Sequence, residues 1–402
     1  MEWNMGRSPQ GKLPDEIFGK ELIRYDYRPE LIPSAETTDV GMWRYRALLP
    51  IDEQRVRFPL PIGGTPLRAA AALRSRLGLP RLWLKDETAG AISSNKDRAT
   101  ALVLEIGLRS GASTITTSST GNAGVATAWG AATVGLSAAI FTPADCDPEK
   151  VAVMRAAGAH VFRVARGYRA AFDLSRAAAR EFGWLDRNTG ANPVTIEAKK
   201  TVAFEIWEQL ERHLPDVVVA PVGDGPTLVG LAKGFHELRA CGMTSTVPRI
   251  IGVQAEGCQP LVRQWRGLPP RPPETVRTIA DGIRVPVPAV GEQAVRAVTD
   301  SAGAFVAVSD DELRSAMAYL ANDAATASEP AGAAALAGAR RAMWKSFVDA
   351  GETVVALVTG KPFHGGAFSG RPGSEALISG DLDEFREVWR QVRAHHLEHF
   401  VP

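Results

Sequence analysis

Cysteine is scarce in this chain of 402 residues, which has only three: Cys146, Cys241 and Cys258. Their number is odd and no two stand at C-x-x-C spacing, so the sequence argues against a disulfide framework and against a zinc site. We therefore expect no bound metal. Scattered single cysteines are typical of proteins in a reducing compartment, which predicts a cytoplasmic location.

Long apolar runs and an excess of charge of either sign are also missing. No stretch approaches about 18 uninterrupted apolar residues, and the first residues lack the basic and then apolar order of a signal peptide. The 46 basic and 45 acidic residues leave a net charge of +1, so we expect no nucleic-acid and no membrane partner. With 45% apolar residues, a chain of this length can form two or more packed lobes.

Lysine is the rarer of the two basic residues, with ten lysines against 36 arginines. Lys96 stands between a strand-like run and an alanine-rich segment, within Ser93-Ser94-Asn95-Lys96-Asp97-Arg98. A guanidinium cannot lose its proton, whereas a desolvated lysine can, so a lysine at this position suggests a nucleophilic amine. A solvated lysine at a helix start is the alternative, and taken alone it is the more common case.

Apolar runs alternate along the chain with alanine-rich segments of helical period. The predicted strands are Arg81–Leu84, Ser113–Thr117, Ser137–Phe141, His160–Val164, Val217–Val222, Arg249–Gln254 and Thr353–Val358. The predicted helices include Asp97–Arg109, Asn122–Val134, Glu149–Ala157, Ala170–Phe182, Thr201–Leu214 and Thr227–Cys241. Strand–helix alternation with apolar strands indicates an α/β fold of open, twisted, mostly parallel sheets with helices on both faces.

Three segments depart from this alternation. Residues 1–60 are polar and punctuated by proline, which predicts an extension that wraps around the main body. The proline-rich stretch Gly267–Pro288 is interpreted as a loop or lid. The tail Asp381–Phe400 carries apolar residues on one helical face, which predicts a packed helix.

Hydroxyl side chains dominate the run from Thr116 to Thr120, where a predicted strand ends and a helix begins at Asn122. Exposed backbone N–H groups at such a turn suit a carboxylate or a phosphate. The alternative is an ordinary helix cap, for which serine and threonine are preferred.

Glycine marks a second turn of this kind, in Pro221-Val222-Gly223-Asp224-Gly225-Pro226-Thr227-Leu228. Glycines let a backbone approach a phosphate closely, but this spacing is neither the dinucleotide fingerprint nor a nucleotide P-loop. A structural glycine turn remains the alternative. Thr359 ends another apolar strand, where a hydroxyl either faces a ligand crevice or is an ordinary turn residue.

An amine, an anion turn, a phosphate cradle and a strand-end hydroxyl are the parts that hold pyridoxal phosphate. The sequence resembles the fold-type-II pyridoxal-phosphate enzymes and, among them, the threonine synthases and their relatives. The resemblance runs from about Gly41 to Gly360. It includes Gly63-Gly64-Thr65-Pro66-Leu67, Lys96-Asp97-Arg98, Ser119-Thr120-Gly121-Asn122, the turn 223–227 and Ser328-Glu329-Pro330-Ala331-Gly332.

This resemblance implies the site and its cofactor, pyridoxal 5'-phosphate. Lys96 would form the Schiff base and, once released, take the Cα proton of the substrate. Asn122 would contact the phenolic oxygen, and Thr359 would face the pyridine nitrogen with a neutral hydroxyl. The phosphate would be bound by the backbone of Gly223, Asp224, Gly225, Pro226 and Thr227. The α-carboxylate of a small amino-acid substrate would be held by Ser118, Ser119 and Thr120.

The resemblance also implies how the chain is organised. The cofactor would lie in the cleft between a large domain, residues 61–112 and 205–375, and a small mobile domain, residues 113–204. Residues 376–402 would form a C-terminal helix, and the chain would be a homodimer.

The sequence departs from the family's pattern at positions that would face the substrate. Asn95 replaces the usual phenylalanine before the lysine, and Thr195 replaces an arginine that would grip a substrate phosphate. We take both as substrate-binding residues, with Lys199 as a partial substitute for the arginine. The zinc module of many relatives is missing before Tyr25-Asp26-Tyr27. Asp97 and Arg98 are expected to be structural, with Arg98 in a fixed ion pair.

Four functions follow from these features. The first is a lyase or synthase of the threonine synthase kind, acting by Cα deprotonation and β- or γ-elimination or replacement. A serine- or threonine-type dehydratase is the second, since Thr278–Ile283 resembles a dehydratase loop. The third is β-replacement on a non-protein amino acid. A non-catalytic regulatory relative is the fourth, and the intact Lys96, Asn122 and glycine turn argue against it.

Overall fold

The computed structural model describes residues 22–34, 36–51, 55–92, 94–363 and 373–397, without the side chains of residues 274 and 395–397. Ser93 and parts of the predicted N-terminal extension and C-terminal helix lie outside this range. The chain forms two compact units. The first unit contains Leu60–Ala99, Pro193–Pro362 and the described residues up to Val56. The second contains Arg57–Pro59, Thr100–Asn192 and the described residues after Pro362.

Parallel strands form the frame of both units. The strands are β1 (Leu67–Arg68), β2 (Leu82–Asp86), β3 (Thr114–Ser118), β4 (Ser137–Pro143), β5 (His160–Val164), β6 (Leu185–Asp186), β7 (Val217–Pro221), β8 (Arg249–Ala255), β9 (Ala304–Val308), β10 (Val354–Val358) and β11 (Glu375–Ile378). The first unit has a six-stranded sheet in the order β1-β2-β10-β7-β8-β9, in which only β1 is antiparallel. The second has a five-stranded parallel sheet in the order β11-β5-β4-β3-β6.

Helices connect the strands, as the alternation in the sequence predicts. They are α1 (Ala71–Leu77), α2 (Lys96–Ser110), α3 (Asn122–Thr133), α4 (Pro148–Ala156), α5 (Gly167–Phe182), α6 (Val194–Gln209), α7 (Pro226–Ala240), α8 (Pro260–Trp265), α9 (Gly291–Asp300), α10 (Asp310–Ala324), α11 (Pro330–Trp344) and α12 (Leu382–Leu397). Short 3₁₀ turns occur at Pro29–Leu31, Gly41–Leu48, Glu87–Ala89, Pro273–Thr275 and Asp281–Ile283. In the part of the chain that the structure describes, no helix has the length and apolar character to cross a bilayer.

The central strands of the first sheet show why these segments are strands. Every residue of β7 and of β10 is buried, and both read as continuous apolar runs rich in valine. A strand covered on both faces needs no polar alternation, and each buried valine contributes about 1.5–3 kcal/mol relative to an exposed one. Since β7 and β10 are parallel neighbours, their carboxyl ends lie at the same edge of the sheet. The glycine turn and Thr359 therefore leave the sheet at that edge.

The strand predictions are confirmed: all seven predicted strands are present, with ends that agree within two residues. Four further strands, β1, β6, β9 and β11, are not among the predicted ones. The prediction for helix α6 is wrong at both ends, because it placed the helix at Thr201–Leu214. The helix already begins at Val194, and the charged residues of its first turns are buried; it ends at Gln209 because Glu211 and Arg212 adopt positive φ.

Candidate active site

Lys96 is the first residue of α2, and its half-buried amine is held by the residue before it. The Lys96 Nζ donates a hydrogen bond of 2.9 Å to the Asn95 Oδ1. The Asn95 Nδ2 in turn donates to the Thr227 Oγ1 at 3.2 Å, and the Asn95 N–H donates to the Thr359 carbonyl at 2.9 Å. Asn95 is only 2% exposed. One buried amide therefore joins the amine, the glycine turn and the strand end, three predicted parts of the site that lie together in the first unit.

The loop before Lys96 is fixed from both sides. Ser94 forms an antiparallel bridge with Gly360, which ties the loop to the end of β10. The Asp97 Oδ2 accepts hydrogen bonds from the N–H groups of Ile92 at 3.0 Å and Ser94 at 3.4 Å. Asp97 thus holds the loop in the structural role that the sequence predicts for it.

Arg98 forms the ion pair that the sequence predicts, and it does so with two carboxylates. It is 1% exposed and donates to the Glu87 oxygens at 2.8 and 2.7 Å, and to those of Glu205 at 2.6 and 2.8 Å. Lys85 also donates to Glu205 at 2.6 Å. Burial alone would raise the pKa of Glu205, but Arg98 and Lys85 lower it to about 2. This network anchors the start of the helix that carries Lys96.

The turn Gly223–Thr227 has the features of an anion cradle. Within the described part of the chain, the N–H groups of Gly223, Asp224, Gly225 and Thr227 donate no hydrogen bond. Gly225 has a φ of 99°, which favours glycine, and a Cβ there would lie 2.9 Å from a Val290 methyl group. These N–H groups stand at the N-terminus of α7, where the helix dipole favours a negative charge.

Asp224 places a carboxyl within this cradle. Burial raises its pKa above the ordinary value, while the Ala289 N–H and the ammonium groups of Lys199 and Lys96 act in the opposite direction. Two lysine charges therefore act on the cradle. The Asp224 side chain accepts a hydrogen bond from the Ala289 N–H at 3.3 Å, and its carbonyl accepts one from the Val290 N–H at 3.1 Å. These bonds fix the turn against the segment before α9.

The hydroxyl turn of Ser118, Ser119 and Thr120 lies in the second unit, between β3 and α3. The N-cap of α3 is Gly121, and no side chain caps the helix. The ordinary cap interpretation is therefore wrong. Among the described residues, the buried Ser118 Oγ has no hydrogen-bond partner, although the Ser118 N–H donates to Asn188 at 2.7 Å. Asn122 is the first residue of the helix.

Sequence reasoning missed a cation beside this turn. A Cβ on Gly121 would lie 3.6 Å from the Lys150 Nζ, so the ammonium stands next to the start of α3. An ammonium, an open helix N-terminus and a buried hydroxyl without a partner together suit a carboxylate. The only sign of this in the sequence is that Lys150 belongs to the rare lysines.

Thr195 and Lys199 lie one helical turn apart on α6, in the first unit. Thr195 is fully buried and Lys199 is 1% exposed. The charge of Lys199 acts on the Asp224 carboxyl in the cradle, where it lowers the pKa. Of these two residues, Lys199 is thus the one whose charge acts on the pKa of a cradle residue.

A second buried charge cluster lies between α6 and α7, and sequence reasoning missed it as well. Lys200 and Lys233 each form ion pairs with both Glu197 and Glu237. The nitrogen–oxygen distances are 2.6 to 3.0 Å, except for the contact between Lys233 and Glu237, which is shorter. The Tyr25 hydroxyl donates to Glu197 at 3.0 Å. Burial and the two glutamates hold the pKa of Tyr25 well above its usual range. The segment that precedes β1 is therefore held against α6, the helix that carries Glu197.

The hydrogen-bond partner of the half-buried Lys96 differs from those of three fully buried lysines. Lys85, Lys200 and Lys233 are all held by glutamates, whereas Lys96 donates to a neutral amide. Among the described residues, no group of three or more histidine, cysteine or acidic side chains could hold a metal ion.

Comparisons with known proteins point in one direction. The family model described as pyridoxal-phosphate dependent enzyme matches residues 59–360. The threonine synthase of Methanosarcina acetivorans is 32% identical over 355 residues, covering 87% of this chain and 85% of that protein. The threonine synthase of Methanocaldococcus jannaschii is 31% identical over 393 residues, covering 95% and 94%. The solved threonine deaminase from T.th. has a TM-score of 0.61 at 27% identity, covering 76% of this chain and 94% of that one.

Proposed function

Because the chain belongs to the family of pyridoxal-phosphate dependent enzymes, we propose that it is a carbon–oxygen lyase or synthase of the threonine synthase kind. It takes the Cα proton from a small amino acid and eliminates or replaces an oxygen substituent at the β or γ carbon. The observation that carries this proposal is the Asn95 amide, which connects the amine of Lys96 with the glycine turn at Thr227.

The residues present fit the cofactor. A Cβ on Gly225 would meet Val290, and the N–H groups around it are uncommitted within the described chain, so the turn suits a phosphate. Asn122 and Thr359 would contact the ring oxygen and the ring nitrogen. When bound, pyridoxal phosphate supplies an electron sink for the charge left on Cα. A neutral hydroxyl at the ring nitrogen makes that sink modest, which favours elimination and replacement.

Lys96 would hold the cofactor through its amine and, once released, accept the Cα proton at Nζ. The Asn95 Oδ1 accepts a hydrogen bond from this Nζ, so it fixes the direction in which the amine points. Arg98, with its two glutamates, fixes the helix beneath it. The amine is thus oriented by two rigid supports, as proton transfer at a set position requires.

The substrate α-carboxylate would be held by Ser118, Ser119 and Thr120. Support comes from the buried Ser118 hydroxyl, which has no hydrogen-bond partner among the described residues, and from the uncapped start of α3. Lys150 adds a positive charge beside the turn. An ionised carboxylate gains about 1.5–3 kcal/mol from each such charged hydrogen bond.

Thr195, which stands where the family has an arginine, and Lys199 would together select the distal group of the substrate. A point charge replaces a bidentate guanidinium, which weakens the hold on a phosphate without removing it. We propose that Lys199 faces an anionic leaving group, and that Thr195 and Asn95 complete the substrate pocket. The burial of Lys199 and its effect on Asp224 support this role.

The test uses the holoenzyme with O-phosphohomoserine and, separately, O-phosphoserine, which place the phosphate on the γ and β carbons. Equal amounts of phosphate and new amino acid or 2-oxo acid are expected from one of them. In Lys199→Gln, kcat/KM for that substrate should fall about tenfold. The control Arg296→Gln loses an exposed positive charge elsewhere and should not change it. If neither compound releases phosphate, the proposal of a phosphorylated substrate is wrong.

A dehydratase acting on serine or threonine is the second candidate. The loop Thr278–Ile283 packs directly on the cradle, since a Cβ on Gly223 would lie 3.2 Å from the Ile283 Cα and 3.3 Å from the Gly282 carbonyl oxygen. The likeness to a threonine deaminase also favours it. Release of ammonia and a 2-oxo acid from unphosphorylated serine or threonine would support this candidate over the first.

We also propose a homodimer located in the cytoplasm. All three cysteines are free and buried, which fits a reducing compartment. Light scattering on the purified protein tests the dimer, and fractionation of cells tests the location.

A further inference from the structure

A cavity of about 460 Å³ lies in the first unit, against the edge strand β9, and its lining includes none of the residues assigned to the cofactor. Four cationic side chains line it: Arg266, Arg271, Arg341 and Lys345. Glu256 is the one carboxylate among the described lining residues. The volume is within the range of small-molecule sites, about 300–1,000 Å³. The lining therefore carries an excess of positive charge around a space large enough for a metabolite.

The cations differ in how they are held. Within the described side chains, Arg266, Arg271 and Lys345 have no carboxylate within ion-pair distance. Arg341 is fixed by Glu312, to which its Nε donates at 2.9 Å while a second nitrogen donates to the other oxygen, and it also donates to the lining carboxylate Glu256 at 3.4 Å. The Arg341 guanidinium is thus held in position, and the other three cations of the lining can bind an anionic ligand.

Helix ends account for only part of this arrangement. Arg266 and Lys345 directly follow α8 and α11, and a positive charge is favourable at a helix C-terminus. Arg271 lies in the proline-rich loop, with no helix end beside it. Two stretches of chain, 266–271 and 341–345, therefore bring cations to the same cavity, and the helix-dipole explanation does not apply to Arg271.

We propose that this cavity binds a small phosphorylated metabolite as a second ligand, distinct from the cofactor and the amino-acid substrate. A phosphate group carries two charges and accepts bidentate hydrogen bonds from guanidinium groups, which matches a lining of three arginines and a lysine. Polycarboxylates share the charge but not the tetrahedral shape. The proposal does not depend on the reaction that the chain catalyses.

One segment connects the cavity with the cofactor cradle. Gly257 lines the cavity, and a Cβ there would lie 1.6 Å from the Arg277 carbonyl oxygen. Six residues after Arg277, the Ile283 Cα would lie 3.2 Å from a Cβ on Gly223. The proline-rich loop is thus packed at one end on the cavity wall and at the other on the cradle. Binding at the cavity is expected to change the affinity for the cofactor, and the reverse effect must be equal.

The binding test is calorimetric titration of the holoenzyme with inorganic pyrophosphate, inorganic phosphate and citrate in turn. The cofactor phosphate already fills the cradle, and variants of the lining arginines separate binding at the cavity from binding at the proposed substrate phosphate site beside Lys199. Pyrophosphate is expected to bind once per chain. In the double variant Arg266→Gln with Arg271→Gln, its Kd should rise tenfold or more. Glu256→Gln should tighten binding, because it removes a like charge from the lining.

The matched control is Arg296→Gln, which removes an exposed arginine of the same unit and should leave the Kd unchanged. Lack of saturable pyrophosphate binding would overturn the proposal, as would an equal loss of affinity in the control. Binding of citrate in preference to both phosphates would also overturn it, because the site would then select for carboxylates. Thermal unfolding of each variant without ligand shows that the fold is kept.

Discussion

Asn95 is the residue on which the proposed chemistry depends most sharply. It accepts a hydrogen bond from the Lys96 Nζ at 2.9 Å, donates to the Thr227 hydroxyl at 3.2 Å and donates through its N–H to the Thr359 carbonyl. Asn95→Ala removes both side-chain bonds and keeps the backbone one. The amine would then lose its direction, while the start of α2 remains anchored by Arg98.

The size of the effect follows from the two bonds. A hydrogen bond to a charged amine is worth about 1.5–3 kcal/mol, which corresponds to a fall in kcat of about 10- to 150-fold. The bond between Asn95 and Thr227 is neutral and worth about 1 kcal/mol, so its loss should weaken cofactor binding about fivefold. Asn95→Ala should therefore lower kcat more than it lowers cofactor affinity.

Steady-state kinetics with the substrate found for the wild type, over a range of pH, are the assay. Thr227→Val is the matched variant, since it removes the acceptor of Asn95 and leaves the contact with Lys96. It should lower cofactor affinity with a small effect on kcat. Asn95→Asp places a carboxylate beside the amine, which favours the charged amine, so the acidic limb of the pH profile, where the amine must lose its proton to act as the base, should move upward by about 1–3 pH units.

A kcat of Asn95→Ala within twofold of wild type, with an unchanged pH profile, would refute the orienting role of this amide. Equal effects of Asn95→Ala and Thr227→Val on kcat would refute it too, because the loss would then come from the cradle rather than from the amine. The visible spectrum of each holoenzyme shows how much cofactor is bound, so that kcat is compared at equal occupancy.

Two further outcomes are expected. Gly225→Ala should weaken cofactor binding and lower the Tm, because its φ of 99° and the nearby Val290 both oppose a side chain. The control Gly242→Ala, with a φ of 74° and open space around it, should cost only about 1–2 kcal/mol of stability and leave cofactor binding unchanged. Dialysis measures the cofactor binding, and thermal unfolding measures the stability. Glu205, with its pKa lowered to about 2, contributes stability above pH ~4.3 that is lost as the pH falls toward 2. In urea unfolding, Glu205→Gln should cost about 3–5 kcal/mol at neutral pH and flatten that acid dependence, whereas an unchanged slope would contradict the assignment.

The parts of the fold that were predictable are those set by local pattern. β7 and β10 are apolar along their whole length, and the residues that follow them, a glycine turn and a threonine, mark where each strand ends. Lys96 could be singled out because it starts a helix in a chain with few lysines. Such signals extend over only a few residues and survive in any tertiary context.

The parts that were not predictable depend on partners far away in the sequence. Glu197 and Lys200 look like a solvated helix face, yet both are fully buried because Lys233 and Glu237 neutralise them from another helix. Their burial can be inferred only from these ion pairs, because a charged residue is almost never buried without an oppositely charged partner. The start of α6 was misplaced for the same reason. Lys150 beside Gly121 is likewise a tertiary contact without a local signal.

The central claim is that Lys96 is the lysine that holds the cofactor. The most direct measurement is reduction of the holoenzyme with borohydride, followed by proteolysis and mass spectrometry of every lysine-containing peptide. The account predicts one pyridoxyl adduct per chain, on Lys96, and none in Lys96→Ala. An adduct on any other of the ten lysines, or no stable adduct in a holoenzyme that retains its visible band, would contradict it.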